Sequence, residues 1–310
     1  MKRFFVSIAA LVLAATCAFA QDMTQATETA KIANEALMGG DYDTALSGFN
    51  EALKMAEACG EDGIELVATC KSAIPMVVNA IANEALKAGK YDEAIAKFND
   101  AIKVATEYGA DDIVEKATAK IPQIMMQKAG SLLNAKDFAG AAAAYKAVVD
   151  ADPKNGMAAL RMGQALSGTG DFDAAKAAFK LASENGQEKT AVKQLGNIAL
   201  KQAAGALKAK KYADAVSFAL ESNGYAENAQ AVQIAAQASQ LQGKNDDAIK
   251  YFEQYLTMAP TAKNAGQIAF TVGALYQQAK NNAKAKEFYQ KAVTDPKYGA
   301  EAQKLISTLK

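Results

Sequence analysis

The sequence NEALMGGDYDTALSGFNEAL, residues Asn34–Leu53, returns as NEALKAGKYDEAIAKFNDAI at Asn83–Ile102, an offset of 49 residues. A sequence that resembles itself at a fixed offset indicates a repeat architecture. Stacked repeats present an extended surface rather than one deep catalytic pocket, so this pattern bears on function as well as on fold.

Each copy contains two helical segments. Four residues of the first copy have the i, i+3, i+7 and i+10 spacing of one helix face: Tyr42, Ala45, Phe49 and Ala52. The run before them ends at Gly40, and Gly can take the left-handed conformation that closes a helix. Asp43 then falls in the first turn of the next helix, where a negative charge is favourable. The predicted unit is a helix, a tight turn and a second helix.

These units resemble the tetratricopeptide repeat, a helix pair of about 34 residues. The best matching unit is the fourth, and the third, sixth and seventh are recognisable. The residues that carry the resemblance are Gly163, Gly170, Phe172, Ala175, Phe179 and Ala182 in the fourth unit; Phe138, Ala141, Tyr145 and Pro153 in the third; Ala236, Gly243, Ala248, Phe252 and Pro260 in the sixth; and Gly273, Tyr276, Ala285, Tyr289 and Ala292 in the seventh. The fifth unit, near Tyr212 and Ala215, is degenerate because Ala219 replaces an aromatic residue.

The resemblance implies an all-α fold, a right-handed α-solenoid of about seven helix-turn-helix repeats over residues 21–310. Repeats 1 and 2, about residues 21–120, carry longer inserts at Cys59–Ile74 and Tyr108–Ile121. We expect lengthened helices or an added short helix there, with the Pro after each insert in a first helical turn. Repeats 3–7 cover about residues 121–299, and a capping helix covers about 298–309.

Residues 1–20 have the pattern of a secretory signal peptide, with Lys2 and Arg3 before an apolar run and Ala18-Phe19-Ala20 at its end. The pattern predicts export, most simply to a periplasm. A lipid anchor on Cys17 is disfavoured because Thr16 precedes it. No later stretch reads as apolar enough to cross a membrane, so we expect no direct membrane insertion.

The composition argues against several classes of function. Without Lys2 and Arg3, 32 basic residues of the total of 34 face 34 acidic ones, and Arg161 is the only remaining Arg. This disfavours nucleic-acid binding. The chain has no Trp, which weakens glycan binding, and no His, which removes the commonest general base and metal ligand. We therefore expect no enzyme activity, no metal and no cofactor.

The mature chain has two cysteines, Cys59 and Cys70. A disulfide is one alternative in an oxidising compartment. Two buried free thiols are the other, because Cys70 lies about two helical turns beyond the turn that Cys59 precedes.

The resemblance also implies a concave inner face, built from the second, fifth, ninth and twelfth positions of the first helix of each unit. The candidates at these places are mostly amides: Asn34, Asn83, Gln123, Met126, Gln164, Gln230, Gln233, Gln237, Gln240, Gln267, Phe270 and Gln277. An amide offers a donor and an acceptor together, which suits a peptide backbone. A clamp for a C-terminal carboxylate is disfavoured, because Ala30, Met126 and Gly130 occupy the places of its basic residues.

The sequence thus predicts a non-catalytic protein–protein interaction module of the cell envelope. It would hold an extended peptide or a helix of a partner protein in an uncharged groove rich in Asn and Gln. One alternative is a structural or oligomerising component that uses its convex face or its ends, the glutamines being ordinary solvated surface. A small-ligand or glycan-binding protein is a second alternative.

Overall fold

The computed structural model of the chain describes residues 22–309. Over this range the chain is helical with short turns and contains no β-strand, which confirms the all-α prediction. The predicted signal peptide and Cys17 lie outside the described residues, and export stays a prediction.

The chain divides into two compact units, and the boundary falls between Ala151 and Asp152. The helices of the first unit are α1 (22–39), α2 (Tyr42–Ala58), α3 (Ile64–Lys87), α4 (Tyr91–Tyr108), α5 (Asp111–Asn134) and α6 (Phe138–Ala151). A 3₁₀ turn, Gly60–Gly63, joins α2 to α3.

The second unit begins with α7 (Gly156–Thr169) and α8 (Phe172–Ala182). It continues with α9 (Glu188–Lys208), α10 (Tyr212–Tyr225), α11 (Ala229–Leu241), α12 (Asn245–Met258), α13 (Ala265–Gln278), α14 (Asn282–Ala292) and α15 (Gly299–Thr308). An irregular turn at Ser183–Gln187 separates α8 from α9. In both units each helix packs most closely on its neighbours in sequence, as expected for helices joined by short turns.

The tight turns follow the predicted chemistry. Gly40 and Gly170 are left-handed, with φ of 82° and 89°. The residue that follows each of them caps the next helix: Asp41 Oδ1 accepts from the Thr44 amide at 3.2 Å, and Asp171 Oδ1 from the Ala174 amide at 3.1 Å. Gly frees the backbone to reverse, and the carboxylate satisfies an amide that would otherwise lack a partner.

The inserts of the first unit lengthen α3 and α5, and the first insert also adds the short 3₁₀ helix Gly60–Gly63, so both expected forms occur. The expected position of the prolines is wrong, because Pro75 and Pro122 lie inside helices and not in their first turns. The reason is that each helix continues backwards through the insert, to Ile64 in α3 and to Asp111 in α5. Each Pro removes one backbone hydrogen bond from the helix interior.

Small residues face aromatic rings within one helix pair. A Cβ placed on Gly163 of α7 would lie 2.7 Å from the Phe179 ring of α8, and one on Gly273 of α13 would lie 2.7 Å from the Tyr289 ring of α14. The Gly admits the ring of the second helix in its own pair, which lets the two backbones approach.

The degenerate fifth repeat packs through alanines. Ala203 of α9 and Ala215 and Ala219 of α10 are fully buried in one cluster with residues of α11. Ser222 Oγ of α10 donates to the Gly196 carbonyl of α9 at 2.9 Å, which satisfies a buried hydroxyl. Alanine side chains and this hydrogen bond therefore join the two helices at the repeat that lacks the aromatic residue.

One stretch within residues 22–309, Gly60–Lys87, is long and apolar enough to cross a membrane, by length and composition only, with a mean hydropathy of 1.4. The expectation that no later stretch is apolar enough is wrong by this criterion. Ile74, Val77 and Val78 of this stretch are buried in a cluster with residues of α1 and α2. The core helix of a soluble protein can have the same length and composition, so these two properties alone do not indicate a membrane span.

Candidate functional site

Helix α11 is buried on every side but one. Seven of its thirteen residues are buried, among them Val232, Ala235 and Ala236. The residues left at the surface in its first three turns include the four predicted glutamines: Gln230, Gln233, Gln237 and Gln240. Gln230 and Gln240 are exposed, and Gln233 and Gln237 are half-buried. We call these four residues the glutamine face.

The amides of the glutamine face make no hydrogen bond with any other residue in the range 22–309. Leu241, the last residue of α11, is 58% exposed beside them. The face thus offers free donors and acceptors next to an apolar side chain.

The neighbouring helices carry no charge at the corresponding positions. In the aligned repeats, the positions equivalent to the four glutamines are occupied in α9, 33 residues earlier, by Asn197, Leu200, Ala204 and Leu207. In α13, 37 residues later, they are occupied by Gln267, Phe270, Ala274 and Gln277. Helices α9 and α11 contact each other directly. The positions of α9 and α13 that are equivalent to the glutamine face are therefore uncharged.

Other predicted amides already have partners. In the first unit Asn83 Nδ2 donates to the Asn79 carbonyl at 2.7 Å, and Asn83 Oδ1 accepts from Lys120 Nζ at 2.7 Å. Lys120 Nζ also lies 5.6 Å from the centre of the Phe98 ring. The side chain of Asn83 is therefore used inside the unit, and a cation reaches a position that was predicted to be uncharged.

Two predicted residues of the second unit are also engaged in contacts of its own. Gln277 Oε1 accepts from Tyr289 Oη at 2.7 Å, which supplies the partner that a buried phenol needs. Gln164 Oε1 accepts from Arg161 Nη1 at 3.0 Å at the surface.

Phe270 belongs to an aromatic cluster at the end of the second unit. Its ring lies 5.3 Å from that of Tyr289 and 5.1 Å from that of Tyr298, which precedes α15. Ala302 of α15 is buried in the same cluster. The ring of Phe270 thus holds α15 against α13 and α14.

The other predicted residues are surface residues without polar contacts of note. Asn34, Gln123 and Gln267 are exposed, and Met126 is half-buried. The structure therefore groups four of the twelve candidates on α11 and distributes the rest over other helices.

Models of the tetratricopeptide repeat match residues 79–156, 132–197, 229–261 and 267–294, more than half of the chain. The chain belongs to the tetratricopeptide repeat family. Its fold is accordingly an all-α array of helix pairs, as the sequence predicted. Tetratricopeptide repeat proteins are in general non-catalytic scaffolds that bind other proteins or peptides.

Several solved tetratricopeptide repeat structures are similar to this chain. The MamA protein is 18% identical over 59% of this chain and 96% of its own, with a TM-score of 0.37. PilF of Pseudomonas aeruginosa is 15% identical over 59% of this chain and 80% of its own, with a TM-score of 0.31. YrrB, described as a protein with an unusual peptide-binding site, is 18% identical over 58% and 89%, with a TM-score of 0.35. No curated protein matches the sequence.

Within the second unit a cavity of about 700 Å³ lies between α12 and α14. Its charged residues largely satisfy one another: Glu287 accepts from Lys284 at 2.9 Å and from Lys291 at 3.1 Å. These hydrogen bonds hold the pKa of Glu287 below its usual value. Thus the charges beside this cavity are engaged in pairs, in contrast to the free amides of the glutamine face.

Cys59 and Cys70 are both buried free thiols, so the disulfide alternative does not hold in this structure. Cys59 ends α2, whereas Cys70 lies inside α3, where it is fully buried. Burial raises the pKa of the Cys70 thiol, which keeps it protonated and unreactive. Among residues 22–309 no group of three or more Cys, Asp or Glu side chains is arranged to hold a metal ion.

Sequence reasoning missed apolar neighbours of the glutamine face and one contact of the first unit. Leu200 and Leu207 of α9 belong beside the glutamine face, and aligning the repeats on Ala203 and Ala236 would have found them. Leu241 follows the last glutamine directly, and its exposure gives no sequence signal. The approach of Lys120 to Asn83 depends on the lengthened α5, which the repeat pattern does not contain.

Proposed function

We propose that the protein is a non-catalytic interaction module of the cell envelope whose glutamine face binds an uncharged segment of a partner protein. The observation that carries the proposal is that the four amides on α11 have no hydrogen-bond partner within residues 22–309, whereas Asn83, Gln164 and Gln277 do. An amide side chain can pair with a backbone N–H and with a backbone C=O.

The shape and chemistry of the surface favour a peptide or a helix over a small ligand. The glutamine face is one stripe along a helix, and the equivalent positions on α9 and α13 are uncharged. Leu200, Leu207 and Leu241 supply apolar contact beside the amides. A partner segment with small or apolar side chains and a reachable backbone fits this combination.

The proposal places the protein in the envelope because residues 1–20 have a signal-peptide pattern. The alternative is a structural role, in which the protein assembles through other faces. The experiment must distinguish this role from binding at the glutamine face.

A displayed library of neutral peptides, selected on the mature chain, tests the proposal. Peptides that bind are titrated by calorimetry against wild type and against Gln233→Glu and Gln237→Glu. Each charge would be desolvated beside uncharged groups, so we expect affinity to fall tenfold or more. Because the contacts are neutral, raising the salt concentration should change affinity little.

Gln123→Glu is the matched control, since it makes the same change on an exposed amide of the first unit. Its affinity should equal that of wild type. If both α11 variants bind the selected peptides normally, the functional surface lies elsewhere and the structural alternative takes precedence.

A further inference from the structure

Four lysines lie in the turns that join the helix pairs α9–α10, α11–α12 and α13–α14. Lys210 and Lys280 each close the first helix of a pair, and Lys211 and Lys244 each stand immediately before the second helix. All four are exposed. We call them the lysine row.

Two lysines of the row adopt a backbone conformation that suits Gly better. Lys210 and Lys280 have φ of 60° and 58°, while the corresponding positions of the fourth and sixth repeats hold Gly170 and Gly243. A residue with a Cβ pays a steric cost in this left-handed region that Gly does not. Nothing in the fold of these turns requires lysine there.

The other two lysines occupy N-cap positions without capping. Lys211 and Lys244 make no side-chain hydrogen bond to the helices that they precede. At the same position of other turns, Asp171 and Asn281 each accept from a backbone amide at 3.1 Å. A cation at the positive end of a helix is also unfavourable. The lysine row thus contradicts local preference at four positions, and such conflicts concentrate at functional sites.

The row also has no internal ion pair. No carboxylate within residues 22–309 lies within 4.0 Å of Lys210, Lys211, Lys244 or Lys280. Asp214, Asp246 and Asp247 lie in the first turns of α10 and α12, where the helix ends favour them. By contrast, Lys90 at the same position in the first unit pairs with Glu93 at 3.1 Å.

The topology places the three turns on one edge of the second unit. Successive helices are joined by short turns and pack antiparallel, so alternate turns come to the same edge. Neighbouring helices pack about 8–10 Å apart, and the row therefore extends over about 20–30 Å.

We infer that the lysine row binds an acidic polypeptide segment in an extended conformation. A segment of about nine residues covers about 30 Å, which suits a narrow row of cations. The row contains lysines and no Arg, and each lysine ammonium is a compact charge with three donors. Carboxylates spaced along an extended peptide can pair with such single ammonium groups one by one. This inference does not rest on the glutamine face, which is neutral.

The test uses a quadruple variant of the full mature chain, Lys210→Gly, Lys211→Asn, Lys244→Asn and Lys280→Gly. Each substitution installs the residue that the turn prefers, so the melting temperature should rise. The probe is a fluorescent peptide of about twelve residues with Glu at every third position, read by anisotropy. Affinity should fall tenfold or more in the variant, and in wild type it should fall when salt rises from about 0.02 M to about 0.2 M.

The double variant Lys90→Asn, Lys136→Gly makes the same kinds of change in the first unit and should bind the probe within twofold of wild type. The same peptide with Gln in place of Glu should bind wild type at least tenfold more weakly than the acidic probe.

Three results would overturn the inference. The quadruple variant could bind the acidic probe as wild type does. It could melt below wild type, which would mean that the fold needs these lysines. Vesicles with anionic lipid could bind wild type while the peptide does not, which would assign the row to a membrane surface instead.

Discussion

Helices α3 and α5 of the first unit are 24 residues long, whereas α11 and α13 of the second unit have 13 and 14 residues. The additional turns of α5 include Lys120, which reaches Asn83 on α3. Helix α13, which holds the equivalent place in the repeat after α11, has 14 residues and no such insert, and the amides of α11 stay unpaired. The same repeat position is thus occupied in one unit and free in the other. The difference arises from an insert, not from the repeat pattern.

The largest expected effect is the loss of stability when a buried Phe is removed from the core of either unit. Phe98 in the first unit and Phe179 in the second are fully buried. Replacing either with Ala should lower the free energy of unfolding by about 3–5 kcal/mol. Hydrogen exchange should show faster exchange in α3–α5 for Phe98→Ala and in α7–α9 for Phe179→Ala. Identical exchange patterns in the two variants would contradict the division into two units.

A second prediction concerns the long helices of the first unit. Pro122 is exposed inside α5, where it interrupts the backbone hydrogen bonds. Pro122→Ala should raise the free energy of unfolding by about 1–3 kcal/mol, measured by urea denaturation. Pro75→Ala is the comparison: Pro75 is buried, so its lost packing should offset the gain. A loss of stability in Pro122→Ala would mean that the local bend is needed for the packing of α5.

Two glycines of the second unit should change stability in opposite directions when each is replaced by Ala, and by smaller amounts. Gly205 lies inside α9 with open space where a Cβ would be added, whereas a Cβ on Gly163 would contact the Phe179 ring at 2.7 Å. Gly205→Ala should stabilise by about 0.5–1 kcal/mol. Gly163→Ala should destabilise by about 1–3 kcal/mol, because the ring must move. Thermal melts of the two variants test this prediction. Equal shifts of the melting temperature would contradict the close packing of Gly163 against the Phe179 ring.

The smallest effect is a pH dependence at the end of the second unit. Burial, with a hydrogen bond to Glu253, raises the pKa of Tyr276 to about 12. The unfolded chain loses this proton near pH 10, so between pH 10 and 12 the folded chain holds a proton that the unfolded chain has released. Stability should therefore fall as pH rises through this window. Denaturation of Tyr276→Phe over the same range should show a shallower fall; equal slopes would exclude this contribution.

Much of the fold could be predicted from the sequence, because helix periodicity and turn conformation depend on residues that are close together in the chain. The stripe from Tyr42 to Ala52 and the left-handed Gly40 are each defined by residues a few positions apart, and they sit as predicted. The position of Pro75 was misjudged for the same reason. A Pro fits a first helical turn by local preference, but burial of Cys70, Ala73 and Ile74 extends α3 backwards past it.

The candidate site was predictable only in part. The spacing of the glutamines fixed their common side of α11. Whether an amide is free depends on what approaches from other helices, as Lys120 approaches Asn83 and Tyr289 approaches Gln277. These contacts join residues 37 and 12 positions apart in the chain. The first contact joins two repeats and the second joins the two helices of one repeat, so the periodicity of a single helix encodes neither.

The alanine joint of the fifth repeat has a consequence for how a partner would meet the glutamine face. Ala203, Ala215 and Ala219 have no side-chain rotamers to exchange, so the centre of this joint loses no side-chain entropy on folding. Methyl groups therefore occupy the centre of the contact between α9, α10 and α11, and the larger side chains of Tyr212, Val216 and Phe218 pack around them. A partner segment lying across α9 and α11 would meet two helices at a fixed spacing. Binding there would select segments whose side chains match that spacing, and the helices would not rearrange to fit other segments.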